Sequence, residues 1–98
     1  MSTNKPRLSD KLQNILRIKH YSYKTEKSYI NWVYRFILFH KKRNPHEMGT
    51  KEVRTFLSYL AINRRVSAST QNQALNALVF FYKHVIKKEL GIIDAIRA

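Results

Sequence analysis

The chain has 98 residues, 44% hydrophobic and 12% aromatic, with two Gly, two Pro and no Cys. That is enough for one core and too little for two, and it excludes a disulfide framework and Cys-rich zinc sites. Nineteen Lys and Arg against six Asp and Glu give a formal charge of +13, a self-repelling excess that a polyanionic partner explains most economically.

The start, MSTNKPRLSDK, is polar, and no apolar run reaches the roughly 18 residues of a membrane span. A soluble protein of a reducing cytoplasm, not associated with a membrane, is expected. The basic residues are spread along the chain instead of lining one amphipathic helix, which also argues against a membrane surface.

Four helices are predicted in chain order. The first runs from about Ser9, as N-cap, to His20, with Leu8, Leu12, Ile15 and Leu16 as its apolar stripe. The second begins near Ser22 and reaches about His40. Tyr29, Trp32, Val33, Phe36 and Ile37 form its heavy face, the expected organiser of the core.

KKRNPHEMG then reads as a connection, with Pro45 forcing Asn44 out of helical geometry, Gly49 closing the loop and Thr50 capping the next helix. The third helix, about Lys51 to Asn63, carries Val53, Phe56, Leu57, Leu60 and Ala61 on one face. The fourth is capped by Ser67 and buries Ala74, Leu75, Leu78, Phe81, Tyr82 and Val85, leaving Ser69, Asn72, Gln73, Asn76, Phe80, Lys83 and Lys87 outside. Leu90 and Gly91 are its expected stop, and Ile92, Ile93 and Ile96 look like the start of a further segment. No stretch alternates with period two over strand length, so the fold class is all-α.

The outer face of the fourth helix is unusual in carrying hydroxyls and amides where Glu, Lys and Arg are common. Asn and Gln offer a donor beside an acceptor, matching adenine N6 and N7 in the DNA major groove. Hydroxyls at a helix start suit phosphates or base edges. On the second helix, Lys24, Lys27, Asn31, Tyr34 and Arg35 oppose the aromatic stripe, with Thr25 and Ser28 near the first turns. Lys and Arg on these faces and beside them, including Arg64, Arg65 and Lys83, would hold phosphates, while hydroxyls and amides touch bases. Solvation of an ordinary surface is the competing reading.

Ser22-x-x-Thr25-x-x-x-Tyr29, with Val33 and Phe36 beyond, resembles the opening signature of the core-binding (SAM-like) domain of tyrosine recombinases and phage integrases. PHEMGTKEVRTFLSYLA, Pro45 to Ala61, and VSASTQNQALNALVFFYKHVI, Val66 to Ile86, are similar to the N-terminal domain of integron integrases. The resemblance implies an orthogonal four-helix bundle that clamps one side of a double-stranded recombination site, beside neighbouring recombinase protomers. It sets Thr25 and Lys27 of the second helix, and Ser69, Thr70 and Gln73 of the fourth, toward the major groove. It also implies that strand exchange belongs to a separate C-terminal domain, so that residues 1–90 bind without cutting, residues 91–98 begin a linker, and the isolated chain is monomeric.

Catalytic chemistry is not expected within the chain. His40-x-x-Arg43 matches an active-site spacing, but it falls at a helix end followed by a basic loop. None of the six tyrosines has an Arg and His constellation beside it in the sequence. His20, His40, His46 and His84 lack metal-ligand spacing, and no Gly-rich phosphate loop is present, so no metal or cofactor is expected. The scattered carboxylates Asp10, Glu26, Glu47, Glu52, Glu89 and Asp94 are read as helix caps or partners of nearby lysines. Two other readings remain open: a free-standing helical DNA-binding regulator, which lacks the tight Gly-containing turn of a helix-turn-helix, and a basic protein-interaction bundle.

Overall fold

The computed structural model describes residues 7–91; the expectations for Ile92, Ile93, Ile96, Asp94 and the linker fall outside these residues. The fold is all-helical. Helices α1 (Leu8–Ile18), α2 (Tyr23–Phe39), α3 (Thr50–Ile62) and α4 (Ala68–Phe81) follow one another, with one 3-10 turn at Pro45–Glu47 and one π turn at Tyr82–Ile86. No strand occurs among the described residues.

The helix starts follow local chemistry. Ser22 and Ser67 are extended N-caps whose hydroxyls accept from the Thr25 and Thr70 amides at 3.1 Å each. Two expected caps are displaced. Arg7, not Ser9, holds the cap position of α1, and its N–H donates to Asp10 at 3.4 Å. Gly49, not Thr50, precedes α3, with its N–H donating to Glu52 at 2.9 Å. In each case an acidic residue three positions on satisfies an otherwise orphaned donor, which a search for hydroxyl caps passes over.

The helix ends share a different device. His20, Lys41, Lys42, Arg65 and Lys87 have φ between 51° and 64°, the left-handed geometry in which chains usually leave a helix. All five are basic and sit where the negative end of the helix dipole favours a cation. Helix four therefore stops through the π turn and Lys87, not at Leu90 and Gly91. Lys88 returns its N–H to the Tyr82 carbonyl at 2.9 Å.

The core joins all four helices. Leu12 and Leu16 of α1, Trp32, Val33 and Phe36 of α2, Val53, Phe56, Leu57 and Leu60 of α3, and Ala74, Ala77, Leu78 and Phe81 of α4 are buried together. Phe36 lies edge-on to both Phe56 and Tyr82, with centroids 5.7 and 6.2 Å apart, so α2 meets α3 and the end of α4 at one ring. Each such ring is worth about 1.5–3 kcal/mol by burial, with a further gain from the edge-on geometry.

Two buried polar groups tie helices together. Glu26 accepts from Gln13 at 2.7 Å and from Arg17 at 3.2 Å, while Gln71 donates to the Leu57 carbonyl at 3.1 Å. The Glu26 finding corrects the expectation of a local lysine partner, because its partners come from the preceding helix.

Candidate nucleic-acid interface

Helices α2 and α4 meet at an aromatic junction. Tyr29, Phe80 and Tyr21 form a triangle with centroid separations of 5.6, 5.3 and 5.9 Å. Phe80 is therefore buried, and its expected place on the outer face is corrected. The start of α2 and Tyr21 cover a side of α4 that a single-helix projection leaves to solvent. Burial also raises the Tyr29 hydroxyl above the ordinary tyrosine value, with Tyr21 adding to the effect.

On α4, Asn76 and Gln73 precede Phe80 by four and seven residues and share its side of the helix. On α2, Thr25 precedes Tyr29 by one turn. The amides of α4 and the hydroxyl end of α2 consequently flank the same junction. Ser69, Asn72, Gln73 and Asn76 are exposed, whereas Thr25, Ser28 and Thr70 are half-buried. Among the described residues the side chains of Asn31, Asn72, Gln73 and Asn76 have no hydrogen-bond partner, so their donors and acceptors face solvent.

The two threonines are held in matching ways. Ser22 donates to the Thr25 hydroxyl at 3.0 Å, and Ser67 donates to the Thr70 hydroxyl at 3.1 Å. Each threonine hydroxyl keeps its own proton for another acceptor, at a helix start where unpaired amides and the dipole favour an anion.

The cations are distributed less evenly. Lys24 is exposed, and Lys27 is exposed with its ammonium 5.4 Å from the centre of the Tyr23 ring. The Arg35 guanidinium lies 4.4 Å from the centre of Trp32 and is half-buried. These aromatic partners went unnoticed in the sequence, although Tyr23/Lys27 and Trp32/Arg35 stand at i,i+4 and i,i+3 spacing. Arg64 and Arg65 are exposed in the turn before α4.

Lys83 lies at the other end of α4 from Arg64 and Arg65, about 21 Å along the helix from Ser69, next to His84, whose ring packs on Phe80. Burial lowers the His84 proton affinity first, and the charges of Lys19 and Lys83 lower it further. Lys27 and Asn31 turn toward α1 and line a groove there with Tyr23 and Tyr34, so the predicted set spans more than one patch.

Negative charge is scarce on these surfaces. Helix α4 contains no acidic residue, and the one carboxylate of α2 is the buried Glu26. The Arg17 hydrogen bond, then that of Gln13, holds the Glu26 carboxyl below the ordinary carboxylate range, against a smaller opposing effect of burial. Glu52 is also lowered, first by the Gly49 N–H and further by Arg43, whose guanidinium is 3.3 Å away. His40 contacts the Glu52 carbonyl through Nε2 at 2.9 Å. The His40-x-x-Arg43 spacing thus converges on the start of α3.

Among the described residues no three His, Asp or Glu are grouped so as to hold a metal ion, and no helix is long and apolar enough to cross a membrane. Comparison with known proteins adds independent information. Residues 8–92 match the family model described as phage integrase, N-terminal SAM-like domain. Over 81 residues the chain is 49% identical to an "Integrase/recombinase" of Escherichia coli and, to the same extent, to one of Pseudomonas aeruginosa. The match takes in 83% of this chain and 24% of each relative, so the chain spans about a quarter of the length of these curated proteins. With the helical fold and a family match over most of its length, the chain belongs to the phage integrase N-terminal SAM-like domain family.

Proposed function

We propose that this chain is the DNA-holding core-binding domain of a site-specific tyrosine recombinase, gripping double-stranded DNA through the outer faces of α2 and α4. The observation that carries the reading is the junction at Tyr29 and Phe80. It sets the capped start of α2 beside the solvent-facing amides of α4 and nearby cations, on surfaces almost free of carboxylates. Lys24, Lys27, Arg35, Arg64 and Arg65 take phosphates, and Thr25, Ser28, Asn31, Ser69, Thr70, Asn72, Gln73 and Asn76 face sugar, phosphate and base edges. Lys83, at the far end of α4, reaches a more distant phosphate.

In this reading strand exchange belongs to the part of the relatives that this chain does not span. Residues 1–90 form the binding unit, residues 91–98 lead toward the rest, and neighbouring protomers complete the assembly on paired sites. The wording of Pro45–Ala61 and Val66–Ile86 supports an integron-type parent acting in the cytoplasm on the nucleoid. The isolated chain is a monomer.

Fluorescence anisotropy with a labelled 20-base-pair duplex tests the reading. Log affinity should fall linearly with log salt, with a slope of about −0.9 for each phosphate neutralised. No binding at low salt, or affinity indifferent to salt, contradicts it.

A further inference from the structure

An open groove of about 900 Å³ lies along the α1 side of α2. Its floor is apolar, with half-buried Leu8, Ile30 and Ile37 open to a partner above the buried Leu12, Val33 and Pro45. Its rim is cationic, with Arg7, Lys27 and Lys42, and with Arg43 already held by Glu52 at 3.3 Å. The residues of α2 beside it run from Tyr23 to Ile37, about 21 Å at the helical rise. Tyr23 and Tyr34 stand on the rim, 66% and 60% exposed. Among the described residues the one carboxylate of the lining, Glu26, is already occupied by Gln13 and Arg17.

We infer that this groove docks an acidic amphipathic helix of a partner protein. The apolar floor takes the leucine-like face of such a helix, and Arg7, Lys27 and Lys42 take carboxylates on its flanks. A nucleic-acid backbone suits the floor poorly, because phosphates laid over Leu8, Ile30 and Ile37 would lose water without gaining donors. A second copy of this chain suits it no better, since each copy carries a formal +13 and repels another. The inference shares the rim residue Lys27 with the DNA-binding reading, but its apolar contacts and Lys42 have no role there.

The test uses the whole chain and a stapled helical peptide of roughly 16 residues, about 24 Å long, with leucines on one face and glutamates on the other. NMR shifts should concentrate on Leu8, Tyr34 and Ile37, outside the segments that the DNA-binding reading predicts to shift. A peptide with serines in place of the leucines should bind at least about tenfold more weakly. Lys42→Glu, on an exposed side chain, should weaken binding about three- to tenfold, and Tyr34→Ala should weaken it as well. Equal binding of the serine peptide, or indifference to both substitutions, would reduce the interaction to generic charge and overturn the inference. So would a 20-base-pair duplex that shifts the same floor residues and displaces the peptide, because the groove would then be nucleic-acid surface.

Discussion

Arg17 and Glu26 face one another across the junction of α1 and α2, with the guanidinium Nε 3.2 Å from the carboxylate. Gln13 completes the pair from the same helix. Nine residues separate the two charges in sequence, and a turn reverses the chain between them. This contact fastens the short first helix to the helix that carries half of the proposed interface.

Acid should loosen the fold in a definite window. Glu26 and Glu52 both hold protons less readily in the folded chain than their ordinary value of 4.5. The unfolded chain therefore binds more protons, and stability falls as pH drops. Their contribution is complete above that ordinary value and is lost as pH falls through the lowered folded values. Denaturant midpoints should show Glu26→Gln less stable than the parent at pH 7, with the gap narrowing at pH 3. An equal gap at both pH values would mean that the charge is not what matters.

Removing one hydroxyl should have a modest cost. The Tyr82 hydroxyl donates to the buried Pro45 carbonyl at 2.8 Å, but the Met48 amide also reaches that carbonyl at 3.1 Å. Tyr82→Phe keeps the ring and leaves the acceptor one partner, so about 1 kcal/mol is expected, or roughly 4–8 °C in Tm. Tyr82→Ala should cost about 3–5 kcal/mol through the cavity. Similar losses for both variants would contradict this division.

A helix end offers a stabilising change. Lys87 holds a left-handed conformation with φ 64° at the close of the π turn. Glycine adopts this geometry without the side-chain penalty, against some loss of chain entropy. Lys87→Gly should therefore gain about 0.5–1 kcal/mol in denaturant unfolding. A loss instead would show that the lysine side chain contributes more than its backbone strain costs.

The proposed roles at the interface separate by measurement. Gln73→Ala should cost about 1–3 kcal/mol of preference for a cognate duplex over other duplexes. Equal weakening on every duplex would remove Gln73 from base contact. Lys27→Ala should weaken all duplexes alike and reduce the salt slope by about one; an unchanged slope would remove Lys27 from phosphate contact.

Much of the fold is legible in the sequence because it is locally encoded. Ser22 and Ser67 mark their helices by hydrogen bonds three residues long, and the spacing of Leu12, Leu16, Val53 and Leu60 declares the faces that meet in the core. What escapes depends on partners distant in the chain. Phe80 looks solvent-facing until Tyr21 and Tyr29 pack on it, and the burial of Gln71 depends on the Leu57 carbonyl of another helix. The π turn also changes the angular step after Phe81, and there Ile86 is buried while Val85, expected inside, is half-buried. For the interface, composition marks the amides and hydroxyls, but only the packing of α2 on α4 brings Thr25, Gln73 and Asn76 around one junction.

The central claim is that the outer faces of α2 and α4 hold duplex DNA. An NMR titration of the labelled chain with a 20-base-pair duplex at two salt concentrations tests it most directly. The account predicts shifts concentrated on the amides of Lys24 to Asn31 and Ser69 to Asn76, weakening as salt rises. Shifts absent from these segments, or spread evenly over every basic residue, would contradict it.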